Sequence, residues 1–250
     1  MDADAHLLEI PRIPAVRIAR EAPLAARFVR RYKRFLADVE TGAGHILTVH
    51  CPNPGSMLGF HRPGAAVRCS ASDDPRRKLR HTLEMMRVGR TWVGLHTLRA
   101  NPVVESALRS GVPRALAGYT QLEREVAVAG GTRLDFRLSG SPRDPRPAYV
   151  EVKSVTLADG HLALFPDSVT ERGRRHVDAL CRLCGEGARG ALLFLVQRSD
   201  CDRVAPADHI DPAYGAALRR AAAAGVELFA LGARVTARAI SVERELPVLL

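Results

Sequence analysis

Three residues combine side-chain types and a spacing that suit metal-assisted chemistry: Asp135 in the segment RLDFRL, and Glu151 and Lys153 in the segment YVEVKSV. Both segments alternate apolar with polar residues, and side chains two apart on a β-strand point to the same face. Glu151 and Lys153 therefore share one face. If the two strands are neighbours, Asp135 lies opposite Glu151, and two carboxylates and an ammonium meet at one point of a sheet.

Two carboxylates held close together repel each other, so one tends to stay protonated unless a divalent cation lies between them. Oxygen ligands from Asp135 and Glu151, with a backbone carbonyl such as that of Val152 and several waters, suit Mg²⁺ or Mn²⁺. Such a cation polarises a phosphodiester and lowers the pKa of a bound water, while Lys153 orients that water or supports the developing charge. The pattern predicts a phosphodiester-hydrolysing site. The competing interpretation is a cross-strand ion pair on an exposed face, which is common in sheets.

The elements that must position these residues form a recognisable series. Asn101 and Pro102 predict the start of a helix over about 102–110. Ser168 and Glu171 have capping-box spacing ahead of a helix at 169–184, and Asp211 with Pro212 begins another. The predicted strands are 122–129, 132–138, 148–155, 191–197 and, as the last, 226–231. The order α-β-β-β-α-β-α-β predicts a mixed sheet with helices packed on it.

The first third of the chain has a different pattern of apolar and turn-forming residues. Residues 12–80 consist of short apolar runs separated by turn signals, which predicts a small β-rich unit such as an OB-like barrel. The charged stretch at 72–78 is the expected junction. We therefore predict an α/β (α+β) protein with an OB-like nucleic-acid-binding domain at 12–80 and, at 81–250, a mixed-sheet domain that carries the candidate hydrolytic site.

The charge balance favours a polyanionic partner. The net charge is +10 and the isoelectric point about 10.1, and surplus positive charge binds phosphates by releasing their counterions. Among 37 basic residues only Lys33, Lys78 and Lys153 are lysines. Lysine changes its pKa on burial more readily than arginine, so Lys153 beside two acids is a candidate for chemistry. Nucleic acid is the expected partner, with DNA favoured and RNA as the alternative.

Two basic segments are candidates for contacting the nucleic-acid backbone. The segment RFVRRYKRF offers Arg31, Lys33 and Arg34, with Tyr32 and Phe35 as stacking surfaces or, alternatively, as core residues. The start of the helix at 169–184 carries a second group that either holds phosphates or forms a solvated face: Arg172, Arg174, Arg175 and His176. Arg172 and Arg175 are three apart and share a helix face. Gln197, at the end of a buried strand, either touches Lys153 or makes a strand-end hydrogen bond.

The cysteines and the chain start predict a cytoplasmic location. Five cysteines are an odd and sparse set, typical of reduced thiols, and the pair Cys181 and Cys184 has no second pair with which to hold zinc. The start MDADAHLLEIPRIP is acidic where a signal peptide carries basic residues, and no run of about 18 uncharged apolar residues occurs. A membrane partner is therefore not expected, and the oligomeric state stays open.

These motifs resemble a known family. The order around Asp135, Glu151 and Lys153 resembles the core of PD-(D/E)xK nucleases, and the wider sequence is similar to the sugar fermentation stimulation protein A family. The matching stretches are RYKRFLADV (31–39), HCPNPGSM (50–57), RLDF (133–136), YVEVKSVTL (149–157), FPDSVTERGRRH (165–176) and HIDPAY (209–214).

The resemblance implies an OB-like domain followed by a nuclease-like domain, in a family described as DNA-binding and linked to maltose metabolism. It assigns Asp135, Glu151 and Lys153 to the acid, acid and lysine positions of the motif. It further implies an acidic metal ligand from the first helix, for which Glu105 is the candidate and Glu125 the runner-up. The Pro-Asp pair of the motif's name is absent because Leu134 precedes Asp135.

The alternative function is a non-enzymatic DNA-binding regulator of sugar (maltose) metabolism, with a structural or vestigial acidic cluster. It would place a helix-turn-helix around LRRAAAAGVELFALGARVT. We disfavour that motif because VELFAL is typical of a strand where the second helix would need to begin.

Overall fold

The computed structural model describes residues 10–19 and 22–250, and within them the chain forms sixteen strands and three α-helices. The strands are β1 (Val16–Arg17), β2 (Leu24–Tyr32), β3 (Leu36–Thr41), β4 (Ile46–His50), β5 (Ala66–Ala71), β6 (His81–Val88), β7 (Thr91–Gly94), β8 (Gln121–Val128), β9 (Thr132–Ser139), β10 (Ala148–Val155), β11 (Leu157–Asp159), β12 (Leu162–Phe165), β13 (Arg189–Val196), β14 (Arg203–Pro206), β15 (Glu227–Val235) and β16 (Ala239–Leu246). The helices are α1 (Ala100–Arg109), α2 (Glu171–Gly185) and α3 (Pro212–Ala223). The predicted fold class, a small barrel followed by a mixed α/β sheet, is confirmed.

The N-terminal sheet has the strand order β4-β3-β2-β5-β6-β7. A parallel pairing of β4 with β6, between His50 and Thr82, closes five of these strands into a barrel. Its interior holds buried residues such as Phe28, Val39 and Leu83. Closing the barrel removes two exposed strand edges, which lets a small unit with few aromatic residues bury its core.

The boundary between the two parts differs from the predicted one at residue 80. β6 pairs with β5, and β7 pairs with β6, so the charged stretch 72–80 is the loop between two paired strands of the N-terminal sheet, and that sheet ends at Gly94. At its other end, Ile13 and Ile18 pack into the core of the second part, and β1 pairs with β16. The charge pattern along the chain suggested a boundary between segments that strand pairing joins. Both boundaries of the N-terminal domain therefore differ from the predicted ones.

The second part is built on a seven-stranded sheet in the order β1-β16-β15-β13-β10-β9-β8. The central strands β10, β13 and β15 are parallel, and their neighbours on both sides are antiparallel. Alternate residues of β13 enter two different cores: Leu193 lies in the core with α1, and Phe194 in the core with α2 and α3. Both faces of β13 are thus covered, which explains its unbroken apolar run.

The C-terminal elements agree with the expected order but extend it. The predicted last strand is observed as β15, and β16 follows it in an antiparallel pair. A small sheet of β11, β12 and β14, which the sequence analysis missed, lies beyond the end of β10. Because α3 ends at Ala223 and β15 begins at Glu227, the region proposed for a helix-turn-helix is a helix followed by a strand. Among the described residues, no helix combines the length and apolarity that a membrane span requires.

A buried ion pair joins the barrel to the second part. Both carboxylate oxygens of Glu84, on β6, accept hydrogen bonds from Arg99, which precedes α1. The same carboxylate accepts from Ser70 Oγ at 2.6 Å, and Arg99 also donates to the carbonyl of Ile18 at 2.6 Å. One guanidinium therefore ties together the barrel, the N-terminal segment and the approach to α1.

We expect Glu84→Ala to lower the free energy of unfolding by about 3 kcal/mol, because the substitution leaves Arg99 without its buried anion. Chemical denaturation measures this loss. The control is Glu243→Ala, which removes an exposed carboxylate 3.6 Å from Arg234 and should cost at most about 0.5 kcal/mol. Equal losses in the two variants would contradict the assigned role of the pair.

Candidate active site

Asp135 lies at the point where β9 and β10 separate. The pairing of these strands runs from Ala148 with Leu138 to Val150 with Phe136 and then stops. Beyond it, Asp135 Oδ2 accepts a hydrogen bond from the backbone N–H of Val152 at 2.7 Å. The carboxylate thus replaces the ladder bond that a continued strand pair would have made, and this fixes it beside Glu151.

Glu151 projects from the middle of β10 and is only 3% exposed. Its Oε1 accepts a hydrogen bond from Lys153 Nζ at 2.6 Å and another from Nδ1 of His176. Its Oε2 is buried and has no hydrogen-bond partner among the described residues. A buried carboxylate oxygen without a partner is costly in free energy, and such an atom marks a place where a cation or an ordered water belongs.

The two carboxylates differ in their electrostatics. Burial, and then the negative charge of Glu151, raise the pKa of Asp135 to about 6, against hydrogen bonds from Val152 and Asn101 that favour its charged form. Burial also acts to raise the pKa of Glu151, but the Lys153 ammonium and the His176 hydrogen bond outweigh it and hold that pKa below its ordinary value. Of the two carboxyls, Asp135 is therefore the one that takes up a proton first as the pH falls.

His176 reaches Glu151 from α2, a role that the sequence analysis did not assign. Because a carboxylate only accepts, His176 donates from Nδ1, and its Nε2 then accepts from Arg172 Nε at 3.4 Å. The helical spacing of His176 with the buried Gly173 and Leu180 is the sequence signal that places it on the inner face. His176 is thus turned inward onto an acid, whereas the sequence suggested a phosphate contact.

The N-terminus of α2 is fixed by a second helix start. Thr170 caps α2 by accepting from the N–H of Gly173 at 3.0 Å. Asp211, which caps α3, accepts from the N–H of Thr170 at 2.8 Å and pairs with Arg174 at 3.3 Å. Arg174 is therefore a structural residue, while Arg172 and Arg175 stay exposed on α2.

The first helix supplies Asn101 to the site, and Glu105 is engaged elsewhere. Asn101 Nδ2 donates to Asp135 Oδ1 at 2.7 Å. One turn later, Glu105 pairs with Arg109 at 2.9 Å and with Arg124 at 2.5 Å. Because two guanidiniums neutralise the Glu105 carboxylate, the structure does not support its expected role as a metal ligand.

The runner-up, Glu125, stands at the register position opposite Asp135 on β8. Its neighbours Arg124 and Val126 pair with Phe136 and Leu134, but Glu125 itself is exposed and has a positive φ of 53°. Such a conformation is uncommon for a residue other than glycine and interrupts the strand at this point. Glu125 thus lies next to Asp135 along the sheet without joining the buried cluster.

The donor set fits a hard divalent cation. Among the described residues, no group of three or more His, Cys, Asp or Glu side chains could by itself hold a metal ion. The protein offers two carboxylates, Asp135 and Glu151, and the carbonyl of Val152, the residue that follows Glu151. Mg²⁺ is bound in proteins by one or two carboxylates and keeps several waters, so this small oxygen set with an unpartnered Oε2 suits it.

A cleft of about 400 Å³ opens beside Lys153, between the barrel and the second part. The barrel contributes Arg34 and the loop 53–55, and the second part contributes 152–154, the loop 164–170 and Arg172. Lys153 is 8% exposed and reaches the cleft from β10. The cleft thus connects the cluster of charged residues to solvent. Arg34 lies on its barrel wall, and Lys153 and Arg172 lie on the opposite wall.

The basic residues of the β2–β3 hairpin divide into two kinds. Arg31 donates to the carbonyls of Arg34, Asn53, Gly55 and Ser56, at 2.7 to 3.1 Å. Its guanidinium is used to hold the loop 53–56, so the structure does not support the predicted contact of Arg31 with nucleic acid. Lys33 and Arg34 are exposed at the hairpin tip with φ of 46° and 61°, a left-handed conformation that costs roughly 1–2 kcal/mol per residue.

Gln197 makes the strand-end hydrogen bond. Its Nε2 donates to Ser154 Oγ at 2.7 Å, and its backbone carbonyl accepts from the N–H of Gly94 at 2.9 Å. A Cβ at Gly94 would lie 2.6 Å from Gln197 Oε1, so a larger residue there would have to displace the Gln197 amide. Gln197 therefore joins the two parts next to the cleft.

We expect the Asp135 carboxyl to titrate near pH 6 in the metal-free protein. Between about pH 4 and 6 the folded protein keeps a proton here that the unfolded chain has released, so this group makes stability fall as the pH rises through that window. Carboxyl-carbon NMR measures the titration. Glu151→Gln should lower the pKa of Asp135 by removing a like charge, whereas Asp159→Asn, an exposed acid, should leave it unchanged. An ordinary pKa near 4 in the unaltered protein would contradict the burial argument.

Comparison with known proteins agrees with this architecture. Residues 29–95 match the SfsA N-terminal OB domain, and residues 98–239 match the sugar fermentation stimulation protein RE domain. The sugar fermentation stimulation protein homolog of Pseudomonas putida (strain W619) is 51% identical over 228 residues, covering 90% of this chain and 95% of that protein. The homolog of Halorhodospira halophila is 51% identical over 226 residues, covering 89% and 94%. The structure of Pyrococcus furiosus SfsA in complex with Ca²⁺ aligns with a TM-score of 0.82 at 25% identity, covering 97% of this chain and 100% of that one. The chain belongs to the sugar fermentation stimulation protein family.

Proposed function

We propose that this protein is a metal-dependent nuclease, which hydrolyses phosphodiester bonds of nucleic acid at the cluster of Asp135, Glu151 and Lys153. The observation that carries the proposal is the unpartnered Oε2 of the buried Glu151, beside an Asp135 carboxyl whose pKa is raised to about 6. Burying two carboxylates next to each other with one ammonium, that of Lys153, leaves an excess negative charge that is unfavourable unless a divalent cation binds there.

Asp135, Glu151 and the carbonyl of Val152 are the residues that would hold Mg²⁺ or Mn²⁺. The relative from Pyrococcus furiosus is described as a Ca²⁺ complex, which supports the use of a divalent cation. The cation supplies polarisation of the phosphodiester and a lowered pKa for its bound water. Residues of the chain itself would orient the water and balance the charge that develops on the phosphate.

Lys153 is the residue that faces the reacting phosphate. Its ammonium lies 2.6 Å from Glu151 Oε1 and borders the cleft, so it can orient a water held by these two groups and balance the negative charge that develops on the phosphoryl oxygens. His176, with Arg172 behind it, fixes Glu151 Oε1 and so directs Oε2 away from both hydrogen bonds. Asn101 fixes Asp135 by donating to its Oδ1, while its Oδ2 accepts from the N–H of Val152.

Nucleic acid is the substrate that the charge distribution favours. The net charge is +10, and Lys33, Arg34, Arg172 and Arg175 are exposed at the hairpin tip and on α2. Arg34 and Arg172 border the cleft itself, where they can hold phosphates against the cluster. A regulator without enzymatic activity would also bind nucleic acid, so metal-dependent turnover separates the two functions.

We expect Mg²⁺ or Mn²⁺ to support cleavage of labelled oligonucleotides, and we expect Asp135→Asn and Lys153→Ala each to reduce the rate at least about 100-fold. The matched controls are Asp159→Asn and Lys78→Ala, which change an exposed acid and an exposed lysine away from the cleft. Both controls should cleave at the rate of the unaltered protein, and circular dichroism verifies that all four variants fold. Metal-dependent cleavage that persists in the Asp135→Asn, Lys153→Ala double variant, or no cleavage by the unaltered protein, would reject the proposal.

We expect divalent cations to raise the melting temperature, since a ligand that binds only the folded state stabilises it. The increase should be larger at pH 7.5 than at pH 5, because below its pKa of about 6 the Asp135 carboxyl is protonated and competes with the cation. Thermal melts with and without MgCl₂ or CaCl₂ measure this. Glu151→Gln should abolish the increase, and an increase of equal size in that variant would show that the cation binds elsewhere.

A further inference from the structure

Tyr214 is a buried tyrosine whose hydroxyl has no role in the site described so far. It lies in the first turn of α3 and is 0% exposed. Its hydroxyl has no hydrogen-bond partner among the described residues. A buried hydroxyl without a partner destabilises the folded state, and a phenylalanine would fill the same space without that cost. The hydroxyl therefore points to a hydrogen bond with a group that the protein chain does not itself supply.

The ring of Tyr214 packs against the face of α2 that reaches the acidic cluster. A Cβ at Gly173 would lie 3.2 Å from Tyr214 Cε2, the ring carbon next to the one that carries the hydroxyl. Gly173 and His176 are three apart and buried on one face of α2, and His176 donates to Glu151. Phe165 packs edge-on against the same ring, with the centroids 5.3 Å apart. The hydroxyl end of Tyr214 thus lies beside the helix face from which Glu151 is held.

Two carboxylates act on this hydroxyl, and one of them has an oxygen without a donor. Burial, and after it the negative charges of Glu151 and Asp211, raise the pKa of Tyr214, so the hydroxyl keeps its proton and can donate it in a hydrogen bond. Both Asp211 oxygens already accept from backbone N–H groups, Oδ1 from Tyr214 at 2.9 Å and Oδ2 from Thr170 at 2.8 Å. Glu151 Oε2 has no donor among the described residues. Glu151 is therefore the acid that can still take up this hydrogen bond.

From these two unpartnered buried atoms and the packing of Tyr214 against α2, we propose that Tyr214 is a positioning residue for Glu151. Its hydroxyl donates to an ordered water, and that water donates to Glu151 Oε2. A water is required because the two atoms do not bond to each other directly. Ordered waters that join buried polar groups are a regular component of protein interiors.

The water-mediated bond is compatible with cation binding. Each carboxylate oxygen has two lone pairs, so Glu151 Oε2 can accept a hydrogen bond and ligate a cation together. Carboxylates that ligate metals are usually hydrogen-bonded in this way, and removing such a donor weakens metal binding about 10- to 100-fold. The inference rests on the proposed function for the cation, and it adds a residue that touches neither the cation nor the substrate.

The test is Tyr214→Phe, which keeps the ring and removes only the hydroxyl. Calorimetric titration with CaCl₂ at neutral pH, in the absence of nucleic acid, measures cation affinity without turnover. We expect the substitution to weaken Ca²⁺ binding about tenfold or more. The matched control is Tyr149→Phe, which removes the hydroxyl of a half-buried tyrosine on the same strand as Glu151. It should leave the affinity within about twofold.

Two further measurements separate positioning from packing. The metal-free Tyr214→Phe protein should melt at the temperature of the unaltered protein or above it, because phenylalanine leaves no buried hydroxyl to satisfy. Addition of CaCl₂ should change the near-ultraviolet absorption of tyrosine in the unaltered protein and in Tyr149→Phe, since cation binding at Glu151 alters the hydrogen bond of the Tyr214 phenol. This difference band should be absent from Tyr214→Phe.

The outcomes separate this inference from the nuclease function. Weaker Ca²⁺ binding in Tyr214→Phe, with an unchanged or raised melting temperature, would support the inference even if the unaltered protein cleaves no nucleic acid, a result that would reject only the nuclease function. Equal or tighter Ca²⁺ binding in Tyr214→Phe would overturn the inference and leave the nuclease function in place. Weaker binding with a lowered melting temperature and an unchanged tyrosine difference band would assign Tyr214 to packing and also overturn it. Absence of Ca²⁺ and Mg²⁺ binding by the unaltered protein would overturn both.

Discussion

The repulsion between the carboxylates of Asp135 and Glu151 is the constraint around which the second part of this protein is arranged. Both groups are held where water reaches them poorly, so their charges interact more strongly than on a surface. Lys153 and His176 both donate hydrogen bonds to one oxygen of Glu151, and the other stays without a partner among the described residues. The remaining imbalance appears as the raised pKa of Asp135. Binding of a cation or a proton neutralises this excess negative charge. A metal-dependent site needs such an excess.

Backbone geometry produces this contact. If β9 and β10 stayed paired at this point, the N–H of Val152 would donate to a backbone carbonyl of β9. Because the two strands separate there, it donates to the Asp135 carboxylate instead. The barrel then determines what reaches the site. It is held against the second part by Asp167, which binds the loop 53–57, by the pair of Glu84 with Arg99, and by the close approach of Gly94 to Gln197. These contacts turn an exposed sheet end into a cleft.

The residues whose positions the sequence indicated are those fixed by strand periodicity. Alternation places Glu151 and Lys153 on one face, and the order of elements brings Asp135 to the neighbouring strand, so the core of the candidate site was predictable. Arg31 and Glu105 were not, because nothing in their local sequence tells a free charge from one that is already paired. Arg31 is bound by carbonyls more than twenty residues away, and Glu105 by an arginine of β8.

The sequence by itself determined the fold class, the strand and helix order around the acidic cluster, and the basic character that favours nucleic acid, since each follows from local periodicity, capping residues and net charge. The tertiary structure decided where the barrel ends, which acid is buried without a partner, and which arginines border the cleft. Those properties depend on contacts between residues far apart in the chain, such as Asp167 with Met57. Burial and pairing of a charged group are set by its neighbours in space, and a linear pattern records only neighbours in sequence.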